Sequence, residues 1–130
     1  MHRPTLATAS LVLFTAVALG AFGAHGLRGL VPPEALANWR TGVDYQFVHG
    51  LGLLVLAVLV PHLRVATVVR VRVLFTAGVL LFSGSLYLIA LREVLVGQHI
   101  VRILGPVTPL GGLCFMAGWG LLLWDALRRP

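Results

Sequence analysis

"TLATASLVLFTAVALGAFGA", residues 5–24, is the stretch whose reading decides the fold. It carries no charge and matches the ~20 apolar residues that a helix needs to cross ~30 Å of hydrocarbon. With His2 and Arg3 ahead of it and "AFGA" at its end, it also imitates the three regions of a secretory signal peptide. The run is longer than the ~7–15 residues of a usual signal core. Cleavage would leave only the later apolar runs; retention makes this run the first of four spans.

The other three lie at about residues 45–60, 73–91 and 104–124. The chain of 130 residues is 58% hydrophobic and 11% charged, and its mean hydropathy is +0.96. Soluble domains carry roughly a quarter charged residues, so this is a membrane composition with no room for a soluble catalytic domain. Backbone groups in lipid must bond to one another, so the runs are expected as helices. Pro61 closes the second run, while Pro106 and Pro109 open the fourth, where missing amide donors are tolerated.

The segment "VPPEALANWRTGVDYQF", residues 31–47, spaces Leu36, Trp39, Val43 and Phe47 on one helical face behind Pro32 and Pro33. It is expected as a helix that starts in the interface, bends at Gly42 and enters the second span, with Trp39 as an interfacial anchor. The expected fold is therefore an all-α integral membrane protein. Residues 1–130 form a single domain of four transmembrane helices in a bundle, with an interfacial extension before the second.

All ten basic residues are arginines and the formal charge is +6. They sit singly or in pairs at the ends of apolar runs, where they hold helix ends at the headgroups rather than forming a nucleic-acid surface. Both termini and the middle loop share one side, which carries Arg3, Arg64, Arg70, Arg72, Arg128 and Arg129. Arg28, Arg40, Arg92 and Arg102 lie on the other. Six against four favours cytoplasmic termini for a multi-pass membrane protein. The single cysteine, Cys114, lies inside the fourth run and excludes an intrachain disulfide.

Helix direction brings polar residues toward one membrane face: His25 after the first span, Tyr45, Gln46 and His49 at the start of the second, Ser83, Ser85 and Tyr87 in the third, and Thr108 at the start of the fourth. Tyr45 and His49 are four residues apart and share a face with Gly52; Ser83 and Tyr87 repeat that spacing. These residues are the candidate ligand-binding set. The competing reading is helix-to-helix glue, in which small residues such as Gly20, Gly78 and Gly118 allow close approach and the polar groups bond across the contact.

No cofactor or metal is predicted. A metal would need three or four ligands at one depth, and His25, His49, Asp44 and His99 meet only if loops fold inward. A b-type haem between His25 and His49 is the other possible cofactor arrangement. Ser83 or Ser85 lacks a buried carboxylate to orient a histidine base. Glu34, Asp44, Glu93 and Asp125 all fall near span ends, so no carboxylate pair is set for acid and base work.

"GAFGAHGL" (20–27), "YQFVHGLGLL" (45–54), "FSGSLYLIAL" (82–91) and "GPVTPLGGLCFMAGW" (105–119) resemble the signature segments of small bacterial inner-membrane proteins grouped as domain of unknown function 423. That group includes the transmembrane-protein-256-like proteins of animal mitochondria. The resemblance implies a four-span helical protein that keeps its first span. It implies no reaction, and no functional residue carries over to His25, Tyr45, His49, Ser83, Tyr87 or Thr108.

The first functional expectation is a non-enzymatic bundle, in contact with the lipid bilayer, that forms a homo-oligomer or joins a membrane-protein partner. The second is a site for a lipid, quinone or small solute in the polar layer. The third, an enzyme with haem or metal, is read by absorption spectrum and metal content.

Overall fold

The computed structural model describes residues 1–95 and 104–128. His99, Arg102, Arg129 and the Glu93 side chain lie outside the described residues. Among those described, the chain is helix joined by short turns. Helix α1 covers Arg3–Ala21 and continues into a π turn, Phe22–Gly26. Helix α2 covers Pro33–Val58, and a 3₁₀ turn follows at Val60–His62. Helix α3 covers Val65–Gly78 and passes through a second π turn, Val79–Ser83, into α4, Gly84–Ala90. A short α5, Arg92–Leu95, precedes α6, Val107–Leu127. Among the described residues four segments are long and apolar enough to cross a membrane: Arg3–Gly26, Pro33–Val58, Val65–Ala90 and Val107–Leu127.

Proline stands at three of the helix starts. Pro4 occupies the first turn of α1, Pro33 that of α2 and Pro109 that of α6, where no intrahelical donor is lost. The His2 amide donates to Ala57 O at 3.0 Å, tying the start of α1 to the end of α2. Thr67 donates to Asp125 Oδ1 at 3.0 Å and ties the start of α3 to the end of α6. Neighbouring helices are thus antiparallel. The α2 helix and the α3–α4 segment form the central pair, α1 packs against α2, and α6 packs against α3.

Two apolar clusters fill the bundle. Toward the end that holds the termini, Ala9, Val12, Leu53, Leu56, Val68, Val71 and Phe75 pack together. At the other end Leu27, Ala35, Trp39, Val43 and Ala90 pack beneath the first loop. That loop turns at Gly29, whose φ of 85° is a conformation open to glycine.

Three sequence expectations are corrected. The third helix begins at Val65 rather than Val73, because Arg70 and Arg72 sit on the helix itself. Their long stems can lie along apolar surface while the charged heads reach water. Trp39 is not an interfacial anchor: it is 2% exposed, its ring fills the place a Gly23 side chain would take, and its Nε1 donates to Leu19 O at 2.8 Å. The α2 helix runs on through Gly42, whose missing side chain admits the Tyr87 ring rather than a bend.

Candidate functional site

The long α2 helix moves the polar residues away from the interface. Gln46 lies about 20 Å of helical rise from Pro33 and about 18 Å from Val58, which puts it and His49 near the middle of the bundle. The sequence reading began this span at Tyr45 and so put both near one membrane face.

Gln46 joins three helical segments. Its Nε2 donates to Val12 O at 3.0 Å and to Thr15 Oγ1 at 2.8 Å on α1. Its Oε1 accepts from the Tyr87 hydroxyl at 2.7 Å on α4. Thr15 Oγ1 in turn donates to Leu11 O and Val12 O. A buried amide left without partners in lipid would cost several kcal/mol. Here both ends of the amide are engaged.

His49 is equally committed. Its Nδ1 lies 2.7 Å from Tyr45 O, a group that only accepts, so Nδ1 carries the proton and donates. Trp119 Nε1, which can only donate, lies 3.2 Å from His49 Nε2. Both contacts select the neutral Nδ1–H tautomer. The ring stacks on Phe115 with centroids 3.4 Å apart and planes at 11°, and it meets Phe75 edge-on at 5.1 Å. Glycines make this cage possible. A side chain at Gly78 would strike Phe115, and one at Gly118 would strike Phe75.

The remaining candidates are dispersed. Ser85 and Thr108 bond to each other at 2.6 Å and join α4 to α6, and Ser85 Oγ also reaches Phe82 O at 2.9 Å. Ser83 is fully buried and its hydroxyl has no hydrogen-bond partner among the described residues. Tyr45 is 43% exposed and packs on Phe82. His25 is exposed at the end of the first π turn. Gly23 meets Trp39 while Gly50 meets Leu13, so roughly 15 Å of helical rise separates His25 from His49. The structure brings Tyr45 to His49, Gln46 to Tyr87 and Ser85 to Thr108, and leaves His25 outside all three groups.

Sequence reasoning passed over a polar cluster at the opposite end. Asp125 is 3% exposed. It accepts from Thr67, and Arg64 Nε lies 3.6 Å from its Oδ1. The signal was available: a carboxylate in the last turn of an apolar helix faces the negative end of the helix dipole and requires a compensating partner. Nearby in sequence to the start of α1, His2 Nδ1 pairs with the buried Thr5 hydroxyl at 2.7 Å.

Beside His49 a lateral groove of about 510 Å³ opens, lined by Tyr45, His49, Phe82, Phe115, Met116 and Trp119, with Pro109, Gly112 and Leu113. Its walls are chiefly apolar and aromatic. Among the described residues no three His, Cys, Asp or Glu side chains converge as metal ligands.

Four apolar helices closed by buried interhelical hydrogen bonds define an all-α integral membrane protein. The chain belongs to the family described as protein of unknown function (DUF423), whose model matches residues 19–112. It is similar to the UPF0382 membrane protein YwdK of Bacillus subtilis (strain 168), at 43% identity over 114 residues and 87% of each chain. It is also similar to the UPF0382 membrane protein SH2409 of Staphylococcus haemolyticus, at 41% over 119 residues, covering 92% of this chain and 91% of that one. The UPF0382 inner membrane protein YgdD of Escherichia coli (strain K12) is 39% identical over 126 residues, covering 97% of this chain and 91% of its own length. No solved structure matches the chain.

Proposed function

We propose that the chain is a non-catalytic accessory bundle of a bacterial inner membrane, with both termini in the cytoplasm, that associates with a second copy or with a larger membrane protein. The observation that carries this reading is the Gln46 node: the amide at mid-depth is closed by Val12, Thr15 and Tyr87 and holds helices together. The name of the relative YgdD supports the inner membrane, and the excess of arginines on the terminal side supports the orientation. The outward face of α6, with Leu113, Met116, Gly120 and Leu123 exposed, supports association. Gly120 has open space where a side chain would stand, so a partner backbone can approach closely. The test is Met116→Cys in a Cys114→Ala background, crosslinked in native membranes. A defined dimer or a fixed heterologous product is expected; monomer alone at every crosslinker length overturns the reading.

One observation favours a second reading. The groove at His49 lies beside an ionisable side chain at mid-depth, a position that usually marks function in membrane proteins. Its apolar walls suit a lipid or quinone rather than a polar solute. Titration of the detergent-solubilised protein with a short-chain quinone, followed by Trp119-dependent fluorescence, tests it: quenching abolished in Trp119→Phe supports binding, and unchanged emission removes it.

A further inference from the structure

The loose contact between α1 and α3 leaves a second lateral groove on the bundle, separate from the one at His49. It consists of two contiguous stretches of about 360 Å³ each, which share Thr8, Thr76 and Leu80. One stretch opens at Arg72 toward the terminal end; the other runs past Thr15 to Leu19, Gly84 and Tyr87. From Thr8 to Leu19 the α1 helix rises about 17 Å, close to one leaflet of a ~30 Å hydrocarbon core.

The chemistry changes along this groove. Thr8, Thr15 and Thr76 donate to the carbonyls of Pro4, Leu11 and Arg72 at 2.8–2.9 Å, so their hydroxyls are committed to their own helices. The Gln46 amide at the floor is closed by its own partners. The wall therefore offers apolar contact and no unmet donor, with Leu11 and Leu80 exposed at 64% and 70% along the rim. Gly84 leaves open space at the deep end. At the mouth stands the half-buried Arg72. Asp125 is paired with Arg64 at the terminal end, so that carboxylate is engaged elsewhere.

We infer that this groove is a binding site for one anionic phospholipid, its phosphate on Arg72 and an acyl chain laid along α1 and α3. Guanidinium and phosphate match in charge and in paired hydrogen-bond geometry, and the apolar length below matches a single leaflet. A second copy fits less well. Copies related by a two-fold axis along the membrane normal would meet at equal depth, setting Arg72 against its own counterpart. The site is independent of the accessory-bundle reading, since it uses neither the α6 face nor the His49 groove.

The full chain in mild detergent, titrated with phosphatidylglycerol and with phosphatidylcholine of the same acyl chains and followed by native mass spectrometry, tests this. One phosphatidylglycerol should be retained with a preference of roughly fivefold, the worth of one basic residue at an anionic surface. Arg72→Gln should abolish the preference, while Arg70→Gln, on the same helix and outside the groove, should keep it. Gly84→Leu should lower retention of both lipids by filling the tail end. Melting temperatures of the variants within a few degrees of the parent assign these changes to the site. Equal binding of the two lipids overturns the inference, as does an equal loss in Arg70→Gln, which would mean a diffuse basic belt. A Leu80→Cys disulfide dimer formed in membranes overturns it in favour of a second copy.

Discussion

Trp119 on α6 donates its indole N–H to Nε2 of His49 on α2, 3.2 Å away, and thereby fixes which ring nitrogen carries the proton. In ¹⁵N-histidine-labelled protein in lipid nanodiscs, the His49 signals should report a protonated Nδ1 and a bare Nε2. Trp119→Phe should shift Nε2 toward the value of a nitrogen without a donor while Nδ1 stays bonded to Tyr45. An Nε2–H tautomer in the parent protein would show the network to be wired otherwise.

Gln46→Leu preserves bulk and removes every bond of the node, leaving the Tyr87 hydroxyl without its acceptor. The expected cost is about 1–2 kcal/mol. Tyr87→Phe, which leaves only Oε1 short of a donor, should cost about half as much. Reversible unfolding in mixed micelles measures both, and equal stability of Gln46→Leu and the parent would contradict the assignment.

The glycines divide sharply. A methyl at Gly111 would meet the backbone of Phe82, which cannot rotate away, so Gly111→Ala should be among the most damaging small substitutions. A cost of about 2–3 kcal/mol is expected. Gly120→Ala, with open space around it, should fall within about 0.5 kcal/mol of the parent. Thermal unfolding in detergent ranks the two.

Ser83 carries a buried hydroxyl with no partner among the described residues. Removing an unmatched polar group relieves its desolvation, so Ser83→Ala should be neutral or stabilising by up to about 1 kcal/mol. Ser85→Ala, which breaks the link to Thr108, should destabilise. The order of the two melting temperatures decides, and a reversed order would mean that Ser83 finds a partner in the membrane.

Asp125 and Arg64 form an unequal pair, the acid 3% exposed and the base 56%. Arg64→Ala leaves a buried carboxylate that still has Thr67, while Asp125→Ala removes the acceptor for both. Replacing Asp125 by Ala should therefore cost more, by about 1 kcal/mol or above, than replacing Arg64. Near-equal losses would place the whole interaction at the exposed rim.

The bundle was legible in the apolar runs because span length depends on composition over some twenty positions, which no single contact can override. Depth was harder to read. Placing Gln46 and His49 required knowing that the helix starting at Pro33 runs on as one span rather than as an interfacial extension, and the arginines of α3 hid its first two turns because a charged residue on a snorkelling helix looks like a loop charge. The pairing of Ser85 with Thr108 and of Gln46 with Tyr87 was foreshadowed by their grouping at one end. The partners Thr15, Phe115 and Trp119 were not, since each depends on which helices touch, and helical spacing reveals only one face at a time. His25 shows the converse limit: helix direction put it on the right side of the bundle, and the π turn left it outside.

The two π turns bear on how sequences of this family should be aligned. At Phe22–Gly26 the Leu27 amide reaches back five residues to Phe22, and at Val79–Ser83 the Gly84 amide does the same to Val79. Each turn stores one residue beyond an α-helical count, so a relative that lacks one residue there can close the turn as ordinary helix and keep its ends in place. Gaps of a single position near residues 22–26 or 79–83 would then record a change of winding rather than a lost loop. Residues beyond such a gap should be compared by the face they present, roughly 100° around the helix, before they are compared by column.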